Sequence, residues 1–294
     1  MTATNAVVEG AAGQPAASGR WAVPIYPSIM IGLFFAIPFF LILALSVAHQ
    51  NPAGYHEPAF ELTHYRRFLS SIFIDTAAFS VWVSALAAAG AILLGFPFTY
   101  FITTLPRRSQ VYWLVFVLSL LSLSEVLIAF SWQVLLSRTA GVSNVLVWLG
   151  LLEKPLALYP GFAGVVFSLI YLVLPFAVLI LYPPLSRLAP EFAEAARTMG
   201  ASPLVTFFTV VVPIMRPAIV ATGITAFVFT LGAVLIPQVL GRPQHWTLSV
   251  LITDQAVYQS NIPFAAALAV FLLLISMGLV GITLWIDKRY GERA

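Results

Sequence analysis

The chain has 294 residues, of which 61% are hydrophobic and only 9% are charged, and its formal net charge is +3. A soluble globular domain carries roughly a quarter of its residues as Asp, Glu, Lys and Arg, so this composition excludes an ordinary water-facing surface and indicates an integral membrane protein. The absence of cysteine excludes disulfides and cysteine-based metal sites, and the scattered placement of the 14 Lys and Arg residues argues against a nucleic-acid partner.

The first 20 residues are predicted to form a disordered cytoplasmic tail, because Ala, Gly, Ser and Thr predominate there. This tail lacks the basic segment and short apolar core of a cleaved signal peptide, so we expect the first membrane helix to serve as the targeting signal. Residues 21–294 are predicted to form one transmembrane domain.

Six apolar stretches are long enough to cross about 30 Å of hydrocarbon as helices, which predicts an all-α membrane protein with about six transmembrane helices. The predicted spans are residues 26–48, 77–103, 111–136, 162–185, 218–240 and 263–286. A shorter apolar segment, residues 142–152, cannot span and is predicted to lie at the interface or on the bundle.

The distribution of basic residues predicts that both termini are cytoplasmic. In that orientation nine Lys and Arg residues fall in cytoplasmic segments and five in external ones, together the 14 of the chain. The sequence Asp287-Lys288-Arg289, directly after the last predicted span, is the strongest single anchor.

The segment between the fourth and fifth predicted spans, residues 186–217, has the pattern of two short helices. Pro190 and Glu191 suit the first turn of a helix, and Gly200 suits its C-terminal stop. Apolar residues at i, i+3, i+4 and i+7 form one stripe between them. The stripe consists of Phe192, Ala195, Ala196 and Met199.

A second helix is predicted from Pro203 to Pro213, with Ser202 as its N-cap. The apolar stripe of the preceding helix suits docking into a groove of another protein. Packing against the protein's own helices or on lipid headgroups fits the same pattern equally well.

The tripeptide Glu194-Ala195-Ala196, followed by Gly200 and Pro213, resembles the EAA loop of permease subunits of binding-protein-dependent ABC importers. This resemblance implies the type I ABC importer permease fold, a bacterial inner-membrane location and a coupling helix that docks on a cytoplasmic ATPase. The ATPase-coupling residues that it implies are Glu191, Phe192, Glu194, Ala195, Ala196, Met199 and Gly200.

The same resemblance implies four partners: two cytoplasmic ABC ATPase subunits, a second related permease subunit and an extracytoplasmic substrate-binding protein. A heterodimeric permease pair is expected rather than a homodimer. The chain contains no G-x-x-x-x-G-K-[ST] phosphate loop, so we expect ATP and Mg to be bound by the partners and this subunit to be non-catalytic, without cofactor or metal.

Residues 60–68 and 230–241 are similar to the polyamine-type branch of this family, which makes a polyamine or related compound a candidate substrate. Residues 118–132 depart from that branch, because they lack the Pro and Arg that it commonly has upstream of the third-helix Trp. The branch therefore predicts architecture better than substrate.

Glu125 is the one acidic residue inside a predicted span. Ionisable residues in a bilayer usually face the bundle interior or a water-filled cavity, so we expect Glu125 to line the translocation pathway, with Ser131, Trp132 and Gln133 nearby. The alternative is a structural carboxyl group, bonded to a neighbouring helix or subunit or held protonated.

The four histidines are scattered and are predicted to be solvated rather than metal ligands. They are His49, His56, His64 and His245.

An ion-coupled secondary transporter is the main alternative function; internal repeats and interrupted helices with ion ligands would be expected of it. A passive channel is a further alternative, although no filter sequence supports it.

Overall fold

The computed structural model describes residues 22–50, 56–57, 60–139 and 141–291, and the predicted tail of residues 1–20 lies outside them. Most of the described chain is helical, which confirms the predicted all-α class. The α-helices are α1 Ala22–Ile31, α2 Ile37–Ser46, α3 Thr63–Phe68, α4 Ser71–Thr104, α5 Arg107–Leu121, α6 Glu125–Leu135, α7 Val142–Trp148, α8 Phe162–Ser186, α9 Pro190–Thr198, α10 Pro203–Thr206, α11 Val212–Ile214, α12 Arg216–Leu231, α13 Leu235–Leu240, α14 Leu248–Thr253 and α15 Ile262–Gly291.

Short irregular elements connect these helices. Two π-helical turns, Gly32–Ala36 and Phe207–Val211, join consecutive α-helices into longer helical stretches. A third, Asp254–Tyr258, extends α14, and a 3-10 turn occupies Pro243–His245. The two-residue strands β1 His49–Gln50 and β2 His56–Glu57 pair antiparallel, with His49 opposite Glu57 and Gln50 opposite His56.

Four helices among the described residues are long and apolar enough to cross a membrane by themselves. They are Pro27–Ser46, Ser71–Thr104, Phe162–Ser186 and Ile262–Trp285. These helices confirm the first, second, fourth and sixth predicted spans, although α4 begins at Ser71 rather than at residue 77. Two bent helix pairs raise the number of crossings to six if each pair is counted once.

The prediction of one continuous third span over residues 111–136 is wrong. Two helices replace it, α5 and α6, and they are bent by 93° relative to each other. The break falls on Ser122, Leu123 and Ser124, where Ser124 is extended with ψ 142° and Glu125 lies in the first turn of α6. Serine before a helix and a carboxylate in its first turn both favour a new helix start at this point.

The predicted fifth span over residues 218–240 is also interrupted. Helix α12 ends at Leu231, Gly232 follows it, and the short helix α13 is a separate element. At its other end, α12 is bent by 74° from the preceding helix Pro203–Ile214. Pro217 favours this bend, because it has no amide hydrogen for Pro213 O and its ring clashes with that carbonyl in a continuous helix.

The helical core is built from close contacts between small residues. Helix α4 packs along α8, and α12 packs against both. Buried residues from the three helices form one cluster at this crossing: Ala88, Ala91, Val173, Ala177 and Ala226. Small side chains let membrane helices approach closely, and this gives the van der Waals contact that holds them together in lipid.

Two glycines on α4 face α8 at different separations. A Cβ atom at Gly90 would lie 2.5 Å from Cδ1 and 2.9 Å from Cγ1 of Ile170, whereas a Cβ at Gly95 would lie 3.4 Å from Ala177 Cβ. Alanine favours a helix by about 1 kcal/mol over glycine, but overpacking a core costs about 1–3 kcal/mol.

We therefore expect Gly90→Ala to lower the melting temperature of the purified chain, whereas Gly95→Ala leaves it unchanged or raises it. Thermal unfolding in detergent, followed by circular dichroism, measures both variants under the same conditions. An equal decrease for the two substitutions would contradict the difference in packing between these positions.

The predicted interfacial segment, residues 142–152, contains the short helix α7. Val145, Trp148 and Leu149 are exposed on it, so α7 presents an apolar surface outward. The segment ends at Gly150, whose φ of +72° lies in the left-handed region, and no heavy atom lies within 4 Å of a Cβ placed there.

Candidate functional site

The loop between α8 and α12, residues 186–217, folds as the sequence predicts and is called here the α9 loop. Helix α9 begins at Pro190, carries Glu191 in its first turn and has Arg197 in its last. Gly200 follows with a φ of +87°, and no heavy atom lies within 4 Å of a Cβ placed there. Glycine is therefore required at this stop by the left-handed backbone and not by lack of space.

The second helix of the α9 loop is fixed to the bundle. Ser202 Oγ accepts a hydrogen bond from the Val205 amide at 3.3 Å, which confirms the predicted N-cap. The ring of Phe207 packs against Phe96 at 5.3 Å and against Tyr100 at 5.2 Å, both on α4.

Further apolar contacts extend this attachment to α8. Val211 and Met215 are buried together with Phe96, Leu181 and Leu185. The second helix of the loop is therefore part of the core and can hold α9 in a defined orientation.

Exposure differs strongly along the apolar stripe of α9. The side chains of Phe192 and Met199 are 52% and 83% exposed, whereas Ala196 is only 5% exposed. Packing against the protein's own helices therefore explains why Ala196 is apolar, but it does not explain the two large apolar residues, which are exposed. Of the other residues assigned to coupling, Glu191, Glu194 and Ala195 are also exposed.

Glu125 joins the two interruptions of the bundle. Its Oε1 accepts a hydrogen bond at 3.3 Å from the amide of Ile236, the second residue of α13. The side chain is half-buried, and within the described residues no donor contacts its other carboxylate oxygen. The contact to α13 agrees with the alternative prediction that Glu125 is a structural carboxyl group bonded to a neighbouring helix. Its second oxygen has no partner in the described part of the chain and can still bind a ligand.

Two hydroxyl side chains satisfy backbone groups near the break between α12 and α13. Ser249 Oγ lies 3.1 Å from Leu231 O and 2.9 Å from Ala233 O, two carbonyls at the end of α12. Nearby, Ser80 Oγ accepts from the Leu248 amide at 2.7 Å. In a bilayer an interrupted helix is tolerated only where such partners replace its lost hydrogen bonds.

These hydroxyl groups were not predicted as functional or structural partners. The sequence does carry one indication of a break in this region: Gly232, Thr247 and Ser249 are small or polar residues in an otherwise apolar stretch. Their partners lie on other helices and were not visible as a local motif.

The remaining pathway candidates lie on α6 but do not form one cluster with Glu125. Gln133 Nε2 donates to Tyr159 Oη at 2.9 Å, and the half-buried Trp132 packs edge-on against Tyr171 at 5.9 Å. Ser131 is exposed. The structure therefore gives Trp132 and Gln133 packing partners on one side of α6, while Glu125 contacts α13.

The prediction that the histidines are solvated is wrong for His64, which is buried with Nε2 3.1 Å from Ala48 O. His49 pairs with Glu61 at 2.6 Å. Hydrogen bonds from His49 and Thr63 lower the pKa of Glu61. Burial, and then the charge of Arg242, lowers the pKa of His245. No group of three His, Asp or Glu side chains with metal-site geometry occurs in the part of the chain that the structure describes.

The chain is similar to known proteins over most of its length. Residues 97–292 match the family described as "Binding-protein-dependent transport system inner membrane component". The spermidine/putrescine transport system permease protein PotB of Escherichia coli (strain K12) is 26% identical over 257 residues, which cover 87% of this chain and 93% of PotB. The inner membrane ABC transporter permease protein YdcU of the same organism is 26% identical over 246 residues, 80% of this chain and 77% of YdcU.

Solved structures share the fold. A chain from a bacterial ABC transporter involved in the import of the acidic polysaccharide alginate matches with a TM-score of 0.67 at 19% identity, covering 92% of this chain and 94% of that one. The same transporter type in complex with an alginate pentasaccharide-bound periplasmic protein gives a TM-score of 0.69 at 18% identity, with the same coverage. These likenesses confirm the predicted type I permease fold. The chain therefore belongs to the binding-protein-dependent transport system inner membrane components and is a permease subunit of an ABC importer.

Proposed function

We propose that two cytoplasmic ATPase subunits drive this permease by docking on α9, and that it forms half of an import pathway together with a second, related permease subunit. The observation that carries this proposal is the exposure of Phe192 and Met199 on a helix whose Ala196 is packed inward. Large apolar groups on a helix surface anchor it in a groove of a partner.

The attachment of the α9 loop supports a lever-like role for α9. Movement of a docked ATPase would be passed on through Phe207 to Phe96 and Tyr100 on α4. The buried contacts of Val211 and Met215 would pass the same movement to α8. Alternating access then follows from differential binding of nucleotide to two conformations of the complex.

The partners supply the chemistry. ATP and Mg would be bound by the ATPase subunits, since the chain has no phosphate loop of the G-x-x-x-x-G-K-[ST] type. An extracytoplasmic binding protein would deliver the solute, as the periplasmic protein in the related alginate transporter structure suggests. The excess of basic residues in the segments containing the α9 loop and both ends supports cytoplasmic termini.

A cationic small solute, such as a polyamine or a related compound, is the substrate class that we propose. PotB, which matches over 87% of this chain, belongs to a spermidine/putrescine transport system. The free carboxylate oxygen of Glu125 would give a cation an acceptor within the bundle. An acid at this depth is costly unless it faces a cavity or a partner.

The interrupted helices do not favour the ion-coupled alternative. Broken spans occur in secondary transporters, where they bind coupling ions at the membrane midplane. In this chain, the break between α12 and α13 is satisfied by Ser249 and by Glu125. The family match over residues 97–292 is to a binding-protein-dependent transport system instead.

Reconstitution in proteoliposomes tests the proposal. We expect uptake of radiolabelled putrescine or spermidine only when the partner permease, the ATPase subunits, the binding protein and ATP are all present, with uptake falling to background when any one is omitted. Hydrolysis-deficient ATPase subunits provide the matched control. Uptake by this chain alone, without ATPase or binding protein, would refute the proposal.

A further inference from the structure

A cavity of about 380 Å³ lies behind α9, on the side that Phe192 and Met199 do not occupy. Its walls come from the end of α4, the start of α5, the end of α8 and the face of α9 that carries Glu194 and Arg197. This volume falls within the range of small-molecule sites, roughly 300–1,000 Å³. The cavity therefore has room for a ligand larger than a few water molecules.

Two guanidinium groups line this cavity, from Arg107 on α5 and Arg197 on α9. Among the described residues neither group forms a hydrogen bond or a salt bridge, and the salt bridge that is present joins His49 and Glu61 elsewhere. Each guanidinium carries five N–H donors and no acceptor. The cavity is thus lined by cationic N–H donors that have no hydrogen-bond partner among the described residues.

Of the hydroxyl and amide donors in the wall, all but the Tyr100 hydroxyl are already engaged. Gln110 Nε2 donates to Thr103 O at 3.2 Å and to Leu105 O at 2.8 Å, and its Oε1 accepts from Tyr182 Oη at 2.7 Å. The hydroxyl of Thr104 donates to a backbone carbonyl of its own helix at 2.7 Å. Gln110 therefore fixes the turn between α4 and α5, and the guanidinium groups are the charged donors left for a ligand.

We propose that this cavity binds a phosphate-ester anion through Arg107 and Arg197. The planar fork of a guanidinium group matches phosphate oxygens in pairs, which a single point charge does not. The carboxylate of Glu194 on the same wall leaves a local charge of about +1 for the three groups, counting each as fully ionised. That balance suits a phosphodiester with one negative charge better than inorganic phosphate.

The position of the cavity favours a phospholipid headgroup as the source of the anion. Helix α4 is a membrane span that ends at Thr104, and Thr104 is part of the cavity wall. Basic pockets at the ends of membrane helices are typical sites for anionic headgroups. A headgroup bound there would bridge α9 to the turn between α4 and α5.

Binding of short-chain phosphatidylglycerol to the purified full chain in detergent tests the proposal, with native mass spectrometry as the readout. We expect saturable binding that weakens about tenfold or more in the Arg107→Gln, Arg197→Gln double variant, because two charge-assisted contacts are lost. Arg108→Gln is the matched control: Arg108 is exposed beside Arg107 but does not line the cavity, so its loss should change binding less than about twofold.

Two further measurements sharpen the result. Glu194→Gln should tighten binding, the opposite sign to the arginine variants, because it removes the opposing charge.

Competition by inorganic phosphate separates the sources: no displacement indicates the lipid headgroup, and displacement indicates a soluble phosphate at the same site. Absence of saturable binding of either probe, or equal weakening by Arg108→Gln, would overturn the proposal. None of these measurements requires the ATPase subunits, so the result is independent of the docking role of α9.

Discussion

Replacing Gly200 by Val is expected to reduce ATP-driven uptake at least tenfold while the permease still inserts into the membrane. Gly200 has a φ of +87°, a conformation that costs a non-glycine residue roughly 1–2 kcal/mol and a β-branched residue more. The chain can relieve this strain only by changing the turn, which would tilt α9 and redirect Phe192 and Met199. Uptake and substrate-stimulated ATP hydrolysis in proteoliposomes measure the effect.

Gly150→Val provides a matched control for backbone strain. Gly150 also has a positive φ, +72°, and like Gly200 it has no heavy atom within 4 Å of a placed Cβ. It lies after α7, away from the α9 loop, so uptake should stay within about twofold of wild type, a change worth only about 0.4 kcal/mol. Equal losses in both variants would show that strain in general, rather than the orientation of α9, impairs transport.

Glu125→Gln is expected to lower uptake of a cationic solute by about tenfold without changing the melting temperature, a loss equivalent to about 1.4 kcal/mol. The Gln side chain keeps an oxygen that can accept from the Ile236 amide, so the contact between α6 and α13 survives. What is lost is the charge that a cation would meet. Initial uptake rates at several solute concentrations, together with thermal unfolding, measure the two properties separately.

Glu125→Leu separates the pathway role from a structural one. It removes both the charge and the acceptor, and so leaves the Ile236 amide without its partner. An unpaired buried amide costs about 1–3 kcal/mol, so this variant should also unfold at lower temperature. If Glu125→Gln left both uptake and solute preference unchanged, Glu125 would be a structural residue and the pathway proposal would be wrong.

The α9 loop could be predicted from sequence because its signals are local. Pro190, Ser202 and Gly200 each act on the backbone within one turn, and all three have the predicted roles in the structure. Helix α8 was predicted nearly to the residue for a related reason. A long apolar run is bounded there by Gly161 and Arg187.

The interruptions were not predicted, although Ser124 and Pro217 are local signals for two of them, because the contacts that hold the interrupted helices in place are distant in sequence. Ile236 bonds to Glu125, 111 residues away, and Leu248 bonds to Ser80, 168 residues away. Residues 111–136 contain enough apolar residues for a straight membrane span, and their composition carries no information about these distant partners. The same reason explains why Glu125 was identified as unusual while its contact with α13 was not.

The hydrogen bond between Glu125 and Ile236 also has a consequence for biosynthesis. The 111 residues that separate the two positions take roughly 6–22 s to synthesise at about 5–20 residues per second. During that interval α6 has been made but its partner on α13 has not. We expect the bent helix pair α5 and α6 to stay near the membrane surface, with the carboxylate of Glu125 in water, until α13 leaves the ribosome. Docking of α6 in the membrane domain would then be a late event, set by the arrival of a six-residue helix.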